Sequence, residues 1–128
     1  MILTIDTSNS KKTKLALFWP HIKSQKLEFK STKASQNLLI EISKLLKYNN
    51  IKLTDLKLIA INAGPGSFTG LRVGATIANT LGYILKIPAI SIKNQTDILK
   101  LAKLAYSKYQ KGQIKKGLKI IPFYNFKI

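Results

Sequence analysis

Apolar residues mark three short segments at the start of the chain. Residues 2–5 are mostly apolar, and in 15–19 and 27–29 large apolar residues recur at every second position. A period of two is typical of β-strands, and strands joined by short connections usually lie antiparallel. The pattern therefore predicts a three-stranded antiparallel meander at the start of the fold.

A helical spacing of apolar residues begins at about Ser35 and continues to Tyr48. Residues of its apolar stripe recur every three or four positions, which predicts an amphipathic helix with one side on the core. Leu39 belongs to this stripe, whereas Ile40 lies off it. The first helix is therefore expected to offer a second contact surface.

The remainder of the chain alternates strand-like and helix-like segments. Strands are predicted at 58–62 and 89–92, and helices are predicted to end near Lys86 and Tyr109. We expect Asn94 or Thr96 to cap the last helix. The order βββαβαβα indicates an α/β domain with a mixed sheet and flanking helices.

A glycine-rich turn joins the fourth strand to the second helix. Gly64 and Gly66 can adopt backbone angles that a Cβ would forbid, and Pro65 fixes the φ angle between them. Ser67 or Thr69 can cap the helix start. Arg72 is the only charged residue between Ile59 and Leu85. A segment this apolar must be covered on all sides, by its own sheet or by another chain.

Small residues recur every four positions along the second helix, at Gly70, Gly74, Ala78 and Gly82. Glycine inside a helix costs about 1 kcal/mol relative to alanine, so the stripe indicates a very close neighbour. We expect that neighbour to be a helix of a partner or of a second copy. On this hypothesis Gly74→Leu disrupts assembly and leaves the fold largely intact.

The turn lacks the residues of two familiar phosphate sites. A P-loop ends in Gly-Lys-Ser/Thr, yet no lysine lies between Lys57 and Lys86. A dinucleotide fingerprint has the spacing G-x-G-x-x-G, and Gly70 is one residue too far from Gly66. A structural or partner-facing turn is favoured, with an anion at the helix start left open.

Positive charge dominates the composition. The 128 residues include 22 basic and 5 acidic residues, for a net charge of +17, and Arg72 is the only arginine. Such a charge favours nucleic acid or acidic partners, but a lysine-rich genome bias explains it equally well. The absence of cysteine excludes disulfides and thiolate metal sites. With no signal-like or membrane-spanning segment, we expect a soluble cytoplasmic protein.

Three of the five acids fall where a metal-dependent nuclease of the ribonuclease H type would need them. Asp6 ends the first strand, Glu41 lies on the first helix and Asp97 precedes the last helix. The fourth strand ends in Asn62, which supplies no carboxylate. We favour local roles for these acids, with Asp6 satisfying backbone donors, and we interpret His21 as a surface turn residue.

The segment Gly64–Gly74 resembles the signature of the TsaB (YeaZ) family, proteins that help make threonylcarbamoyladenosine in tRNA. The motif residues are Gly64, Pro65, Gly66, Ser67, Phe68, Thr69, Gly70, Leu71, Arg72 and Gly74. Residues 1–8 and 87–91 are similar to the flanking strands of that family. The resemblance implies a ribonuclease H-like lobe, one half of an actin-like kinase fold, over residues 1–110. A basic segment with a possible short strand would follow at 111–128, with most of a second lobe absent.

The resemblance also implies a non-catalytic scaffold without a metal or cofactor of its own. Its catalytic partner would be a TsaD-like subunit, joined by a TsaE-like ATPase, and the chain alone would form a homodimer. The first two helices would form the interface, through Leu39, Ile40, Gly70, Leu71, Gly74, Ala78 and Gly82. The basic C-terminal segment would contact tRNA. A metal-dependent nuclease and a basic RNA-binding module remain as alternatives.

Overall fold

The computed structural model describes residues 1–31 and 34–114, with only the backbone for 34–36. The described elements follow the predicted order. They are β1 (Ile2–Asp6), β2 (Lys12–Trp19), β3 (Ile22–Lys30), α1 (Ala34–Tyr48), β4 (Leu58–Asn62), α2 (Phe68–Leu85), β5 (Ala89–Ile92) and α3 (Ile98–Gln110). A single 3₁₀ turn at Leu53–Asp55 leads into β4.

The strands form one five-stranded sheet in the order β3-β2-β1-β4-β5. β2 lies antiparallel to both β1 and β3, whereas β4 lies parallel to β1 and to β5. A meander followed by two parallel crossovers gives this mixed sheet. The topology is that of a ribonuclease H-like lobe, which confirms the predicted fold class.

The sheet is covered on both faces, and alternate residues of each central strand serve opposite faces. Leu3 and Ile5 of β1 belong to the core under α1 and α2, which contribute Leu38 and Ala78 among others. Ile2 of β1 lies on the other face, in a cluster with Ala105 of α3. β1 and β4 are buried along their whole length, and this burial on both faces explains why most of their residues are apolar.

Two details of the elements differ from the sequence-based expectations. β2 and β3 extend further than predicted, because their outer residues pair in the ladder even where side chains are exposed. The N-cap of α3 is Asp97, and the prediction of Asn94 or Thr96 was wrong. The Asp97 carboxylate accepts hydrogen bonds from the backbone N–H groups of Leu99 and Lys100, both at 3.1 Å.

Among the residues that the structure describes, no helix is both long and apolar enough to span a bilayer. The possible short strand predicted near residues 118–124 lies outside the described residues.

We predict that Leu101→Ala destabilises the fold by about 2–4 kcal/mol. Leu101 is 0% exposed in the core between α3 and the sheet, so its truncation leaves a cavity. Leu104→Ala on the same helix is the matched control, because Leu104 is 43% exposed. Urea denaturation of both variants measures the difference, and equal losses would contradict this assignment of the core.

Candidate functional site

The glycine-rich turn is built by backbone geometry and by two capping side chains. Gly64 has a φ of 94°, which side chains with a Cβ rarely tolerate, and the Gly64–Pro65 peptide bond is cis. The Asn62 side-chain oxygen accepts a hydrogen bond from the Gly64 N–H at 3.1 Å. The Ser67 hydroxyl accepts one from the Gly70 N–H at 3.2 Å. Ser67 is therefore the N-cap of α2, one of the two caps predicted.

A buried polar network lies directly beside this turn, at the carboxyl ends of β1 and β4. The Asp6 carboxylate accepts hydrogen bonds from the Ser8 N–H at 3.0 Å and from the Ser8 hydroxyl at 2.6 Å. The Asn62 amide donates to Asp6 at 3.3 Å and to the Ser8 hydroxyl at 3.1 Å. These three residues are buried. Asp6 thus satisfies local donors, as the sequence analysis favoured.

The backbone of the glycine-rich turn lies in direct contact with the backbone of the residues that follow β1. The Ser67 N–H donates to the Ser8 carbonyl at 2.7 Å. A Cβ on Gly66 would lie 2.7 Å from the Ser8 Cβ, and a Cβ on Gly70 would collide with the Thr7 carbonyl oxygen. Glycine is required at both positions, because any side chain would push α2 away from β1.

Four backbone donors at the turn and at the neighbouring strand end are used within the chain. The backbone N–H groups of Ser8, Gly64, Ser67 and Gly70 donate to Asp6, Asn62, Ser8 and Ser67, respectively. Among the described residues, every buried side-chain nitrogen and oxygen has a hydrogen-bond partner. These four N–H groups would have to leave their partners before they could bind the phosphates that actin-like kinases hold between such turns.

The small-residue stripe of α2 faces the chain's own sheet, which corrects the predicted interface. A Cβ on Gly74 would collide with the Thr7 hydroxyl, and a Cβ on Gly82 would lie 3.1 Å from the Ile87 carbonyl oxygen. Leu71 and Ala78 are buried in the core. The inference of a very close neighbour was right, but the neighbour of Gly70, Leu71, Gly74, Ala78 and Gly82 is not a second chain. Gly74→Leu would therefore damage the fold itself.

Large apolar side chains are instead exposed on other positions of α1 and α2. Leu39 and Ile40 on α1 are 52% and 51% exposed, and Tyr83 and Ile84 on α2 are 87% and 63% exposed. Arg72, the one charged residue of α2, stacks over the Phe68 ring, 5.5 Å from its centroid. Leu39 and Ile40 were predicted interface residues, whereas Tyr83 and Ile84 were not. Tyr83 lies two positions after buried Leu81, on the other side of the helix, so its exposure could have been predicted from helical spacing, whereas that of Ile84, three positions after Leu81, could not.

The acids of the nuclease alternative do not converge. Asp97 caps α3, and its hydrogen bonds from the Lys100 N–H and, to a smaller extent, the Leu99 N–H hold the pKa of its carboxyl below the usual value. Glu41, which is partly buried, forms an ion pair with the exposed Lys44 at 3.6 Å. No group of three or more His, Asp or Glu side chains is placed to share a metal ion within the described ranges. His21 is exposed at the β2–β3 turn with a φ of 67°, as expected for a turn residue.

An aromatic cluster lies between the C-terminal half of α3 and the end of β2. Tyr106 packs edge-on against Trp19 and Phe18, with ring centroids 5.5 Å and 6.0 Å away. These contacts extend the core beneath α3, so Tyr106 has a packing role. The aromatic residues at 123, 124 and 126 lie outside the described residues.

Comparison with known proteins places this lobe in a defined group. The family model described as "TsaD: tRNA N6-adenosine threonylcarbamoyltransferase" matches residues 28–111, more than half of the chain. A protein named tRNA threonylcarbamoyladenosine biosynthesis protein TsaB, from Buchnera aphidicola subsp. Schizaphis graminum, is 42% identical over 60% of this chain and 35% of its own length. The protein of that name from Haemophilus influenzae is 33% identical over 79% of this chain and 42% of its own length. Proteins named tRNA N6-adenosine threonylcarbamoyltransferase match as well.

A solved structure supports the same grouping. YeaZ from Pseudomonas aeruginosa superposes with a TM-score of 0.67 and 26% sequence identity, over 88% of this chain and 51% of that one. The chain thus spans about half the length of that solved structure. It spans 35% and 42% of the lengths of the two TsaB proteins described above.

The sheet order, the glycine-rich turn and the family match define a ribonuclease H-like lobe of the threonylcarbamoyltransferase-related class. Within that class, the chain belongs to the TsaB (YeaZ) family, as do the two relatives named TsaB and the solved structure of YeaZ described above.

We predict that Gly70→Ala destabilises the protein by about 2 kcal/mol, because the new methyl group collides with the Thr7 carbonyl. Helix propensity alone would give the opposite sign, a gain of about 1 kcal/mol. Thr76→Ala on the exposed side of α2 is the control and should be neutral or slightly stabilising. Urea denaturation measures both, and a stabilised Gly70→Ala variant would refute the close approach of α2 to β1.

We also predict that Asp6→Ala lowers the free energy of unfolding by about 2–3 kcal/mol, because it leaves the Ser8 and Asn62 donors buried without their acceptor. Glu28→Ala should change stability by less than about 1 kcal/mol, since its ion pair with Lys12 is exposed. Thermal or urea unfolding provides the measurement. An Asp6→Ala variant of unchanged stability would mean that the carboxylate is kept for another purpose, such as holding a metal.

Proposed function

We propose that this chain is a non-catalytic scaffold subunit of the machinery that makes threonylcarbamoyladenosine in tRNA, next to the anticodon. Its partner is a TsaD-type subunit, which carries out the transfer to adenosine. The observation that carries the proposal is the exposure of large apolar side chains on two neighbouring helices, α1 and α2. Exposed Leu, Ile and Tyr side chains on neighbouring helices are expected where another protein packs.

The hydrogen bonding and packing of the glycine-rich turn support a non-catalytic role. Four backbone donors at the turn and the strand end bind Asp6, Asn62, Ser67 and Ser8, and the glycines at 66 and 70 allow close packing. Of the three acids considered for metal binding, Asp97 caps a helix, Glu41 forms an ion pair and Asp6 belongs to the buried network. A single lobe arranged in this way has no enclosed place in which to hold a reactant away from water.

The proposed pairing surface consists of Leu39 and Ile40 on α1 together with Tyr83 and Ile84 on α2. It replaces the buried glycine stripe as the part of these helices that meets the partner. Names of TsaB and TsaD type both occur among the relatives of this lobe, so the partner would carry a homologous lobe. Two related lobes that expose apolar residues on equivalent helices could pack in a pseudo-symmetric pair.

The wider assembly follows from the same proposal. A TsaE-type ATPase would join the pair, and in the absence of TsaD the chain would pair with a second copy through the same helices. The complex would work in the cytoplasm, where tRNA is modified. The basic segment from residue 111 onwards would contact the tRNA, consistent with the net charge of +17.

A basic RNA-binding module is the second candidate, favoured by the same charge. It would bind RNA without any subunit and would not need the apolar surface of α1 and α2. The nuclease alternative has no comparable support among the described residues, because its three acids do not converge.

We predict that Leu39→Asp and Ile84→Asp each weaken binding to the TsaD-type subunit of the source organism by at least roughly tenfold, because each puts a charge into an apolar contact. Leu104→Asp is the control, since Leu104 is exposed to a similar degree on α3, across the sheet. Calorimetry or quantitative co-purification of the full chain measures the affinities.

The same preparation tests the lack of catalysis. The chain alone should transfer no threonylcarbamoyl group to tRNA, and the pair with the TsaD-type subunit should do so. Unchanged binding of both α1 and α2 variants, or an equal loss for Leu104→Asp, would refute the pairing surface. Modification of tRNA by the isolated chain would refute the scaffold role.

A further inference from the structure

The outward side of α3 carries a row of exposed lysines, Lys100, Lys103 and Lys108. Lys100 and Lys103 are about one helical turn apart on the side that faces away from the sheet, and Lys108 lies at the edge of that side. The row extends over about 12 Å. Buried Ile98, Leu101, Ala102 and Ala105 occupy the opposite side, against the sheet. The row is therefore open to solvent along its whole length.

One carboxylate lies close to this row within the described part of the chain. Asp97 is the only acid from residue 97 onwards; its carboxylate accepts hydrogen bonds from the backbone N–H groups at the helix start and also attracts the Lys100 side chain. The ion pairs found among the described residues involve Lys12 and Lys44, on β2 and α1. Lys103 and Lys108 therefore present most of their charge to an incoming partner.

The row is not explained by a uniform enrichment in lysine. α2 is longer than α3, and its exposed side has positions such as Thr69, Thr76 and Thr80 that would accept lysine without steric cost. It nevertheless carries Arg72 as its single charge. A bias of composition alone would have placed lysines on both helices. The exposed sides of α2 and α3 therefore differ in charge, whereas α1 carries exposed Lys44 and Lys47 beside its apolar residues.

Several lysines in a row match a polyanion better than a single phosphate. A polynucleotide presents a closely spaced series of phosphates, so it can engage the whole row at once and release several counterions. Lysine acts as a point charge without the fork geometry that reads bases, which favours contact with the backbone over recognition of sequence. Leu104 lies within the row and offers an apolar contact beside the phosphates.

We propose that the outward side of α3 binds the phosphate backbone of a structured RNA, across the sheet from the apolar surface of α1 and α2. That the RNA is a tRNA rests on the proposed function, whereas the binding of RNA phosphates does not. The site lies within the described lobe and is separate from the basic segment that follows it. A protein partner with an acidic surface is the competing occupant.

The test compares two variants of the full chain that lose the same charge. In the first, Lys100, Lys103 and Lys108 are replaced by glutamine, and in the second the exposed Lys44, Lys47 and Lys52 on and after α1 are replaced. Binding to a transfer RNA is measured by fluorescence anisotropy over a series of salt concentrations. The α3 variant should bind at least roughly tenfold more weakly, and the slope of log affinity against log salt should fall in magnitude by about 2 to 3. The α1 variant should stay close to wild type.

Circular dichroism and co-purification with the TsaD-type subunit complete the design. Both variants should keep the wild-type fold, and the α3 variant should still pair with the TsaD-type subunit. If neither the wild type nor either variant pairs, that result would count against the proposed function and not against the RNA site. Equal losses of RNA affinity in both variants would show that net charge, and not the α3 row, drives binding. No loss in the α3 variant, or no RNA binding by the wild-type chain at low salt, would overturn the proposal in favour of a protein occupant or none.

Discussion

The close approach of α2 to the end of β1 is the constraint on which the rest of this structure depends. Gly66 and Gly70 allow the helix start to lie against the backbone of Thr7 and Ser8, and Gly74 leaves room for the Thr7 side chain. The approach brings the Asp6, Ser8 and Asn62 side chains into one buried network, because β1 and β4 end side by side. A bulkier residue at Gly66 or Gly70 would separate the helix from the strand. The turn, the network and the helix position therefore form one unit.

This unit explains why residues that suggest chemistry in the sequence have structural roles here. A carboxylate at the end of the first strand and a glycine-rich turn beside it are features of phosphate-handling folds. In this lobe the carboxylate accepts from the neighbouring serine and asparagine, and the turn donates to the strand end. These groups therefore bind one another and hold the turn against the strand end.

The helices on the two faces of the sheet expose different sets of side chains. α1 and α2 expose leucine, isoleucine and tyrosine side chains, with Lys44 and Lys47 on α1, whereas α3 exposes a row of lysines around Leu104. Apolar exposure favours a protein neighbour and uncompensated positive charge favours a polyanion. The proposed pairing surface and the proposed RNA surface would thus lie on opposite sides of one small lobe. Such an arrangement would let a scaffold contact a catalytic subunit and a nucleic acid at the same time.

The sequence by itself determined the elements and their order. Apolar periodicity located β4 and β5 at the residues observed, and the turn residues identified Ser67 as a cap of α2, because these features depend on local backbone preferences. The motif of residues 64–74 was also sufficient to identify the family. Only the tertiary structure decided what the glycine stripe faces. Spacing shows that a neighbour is close but not whether it belongs to the same chain, and the answer depended on the packing of α2 against residues more than fifty positions earlier. The exposure of Tyr83 and Ile84 and the contrast between the two faces likewise follow from which side of each helix meets the sheet.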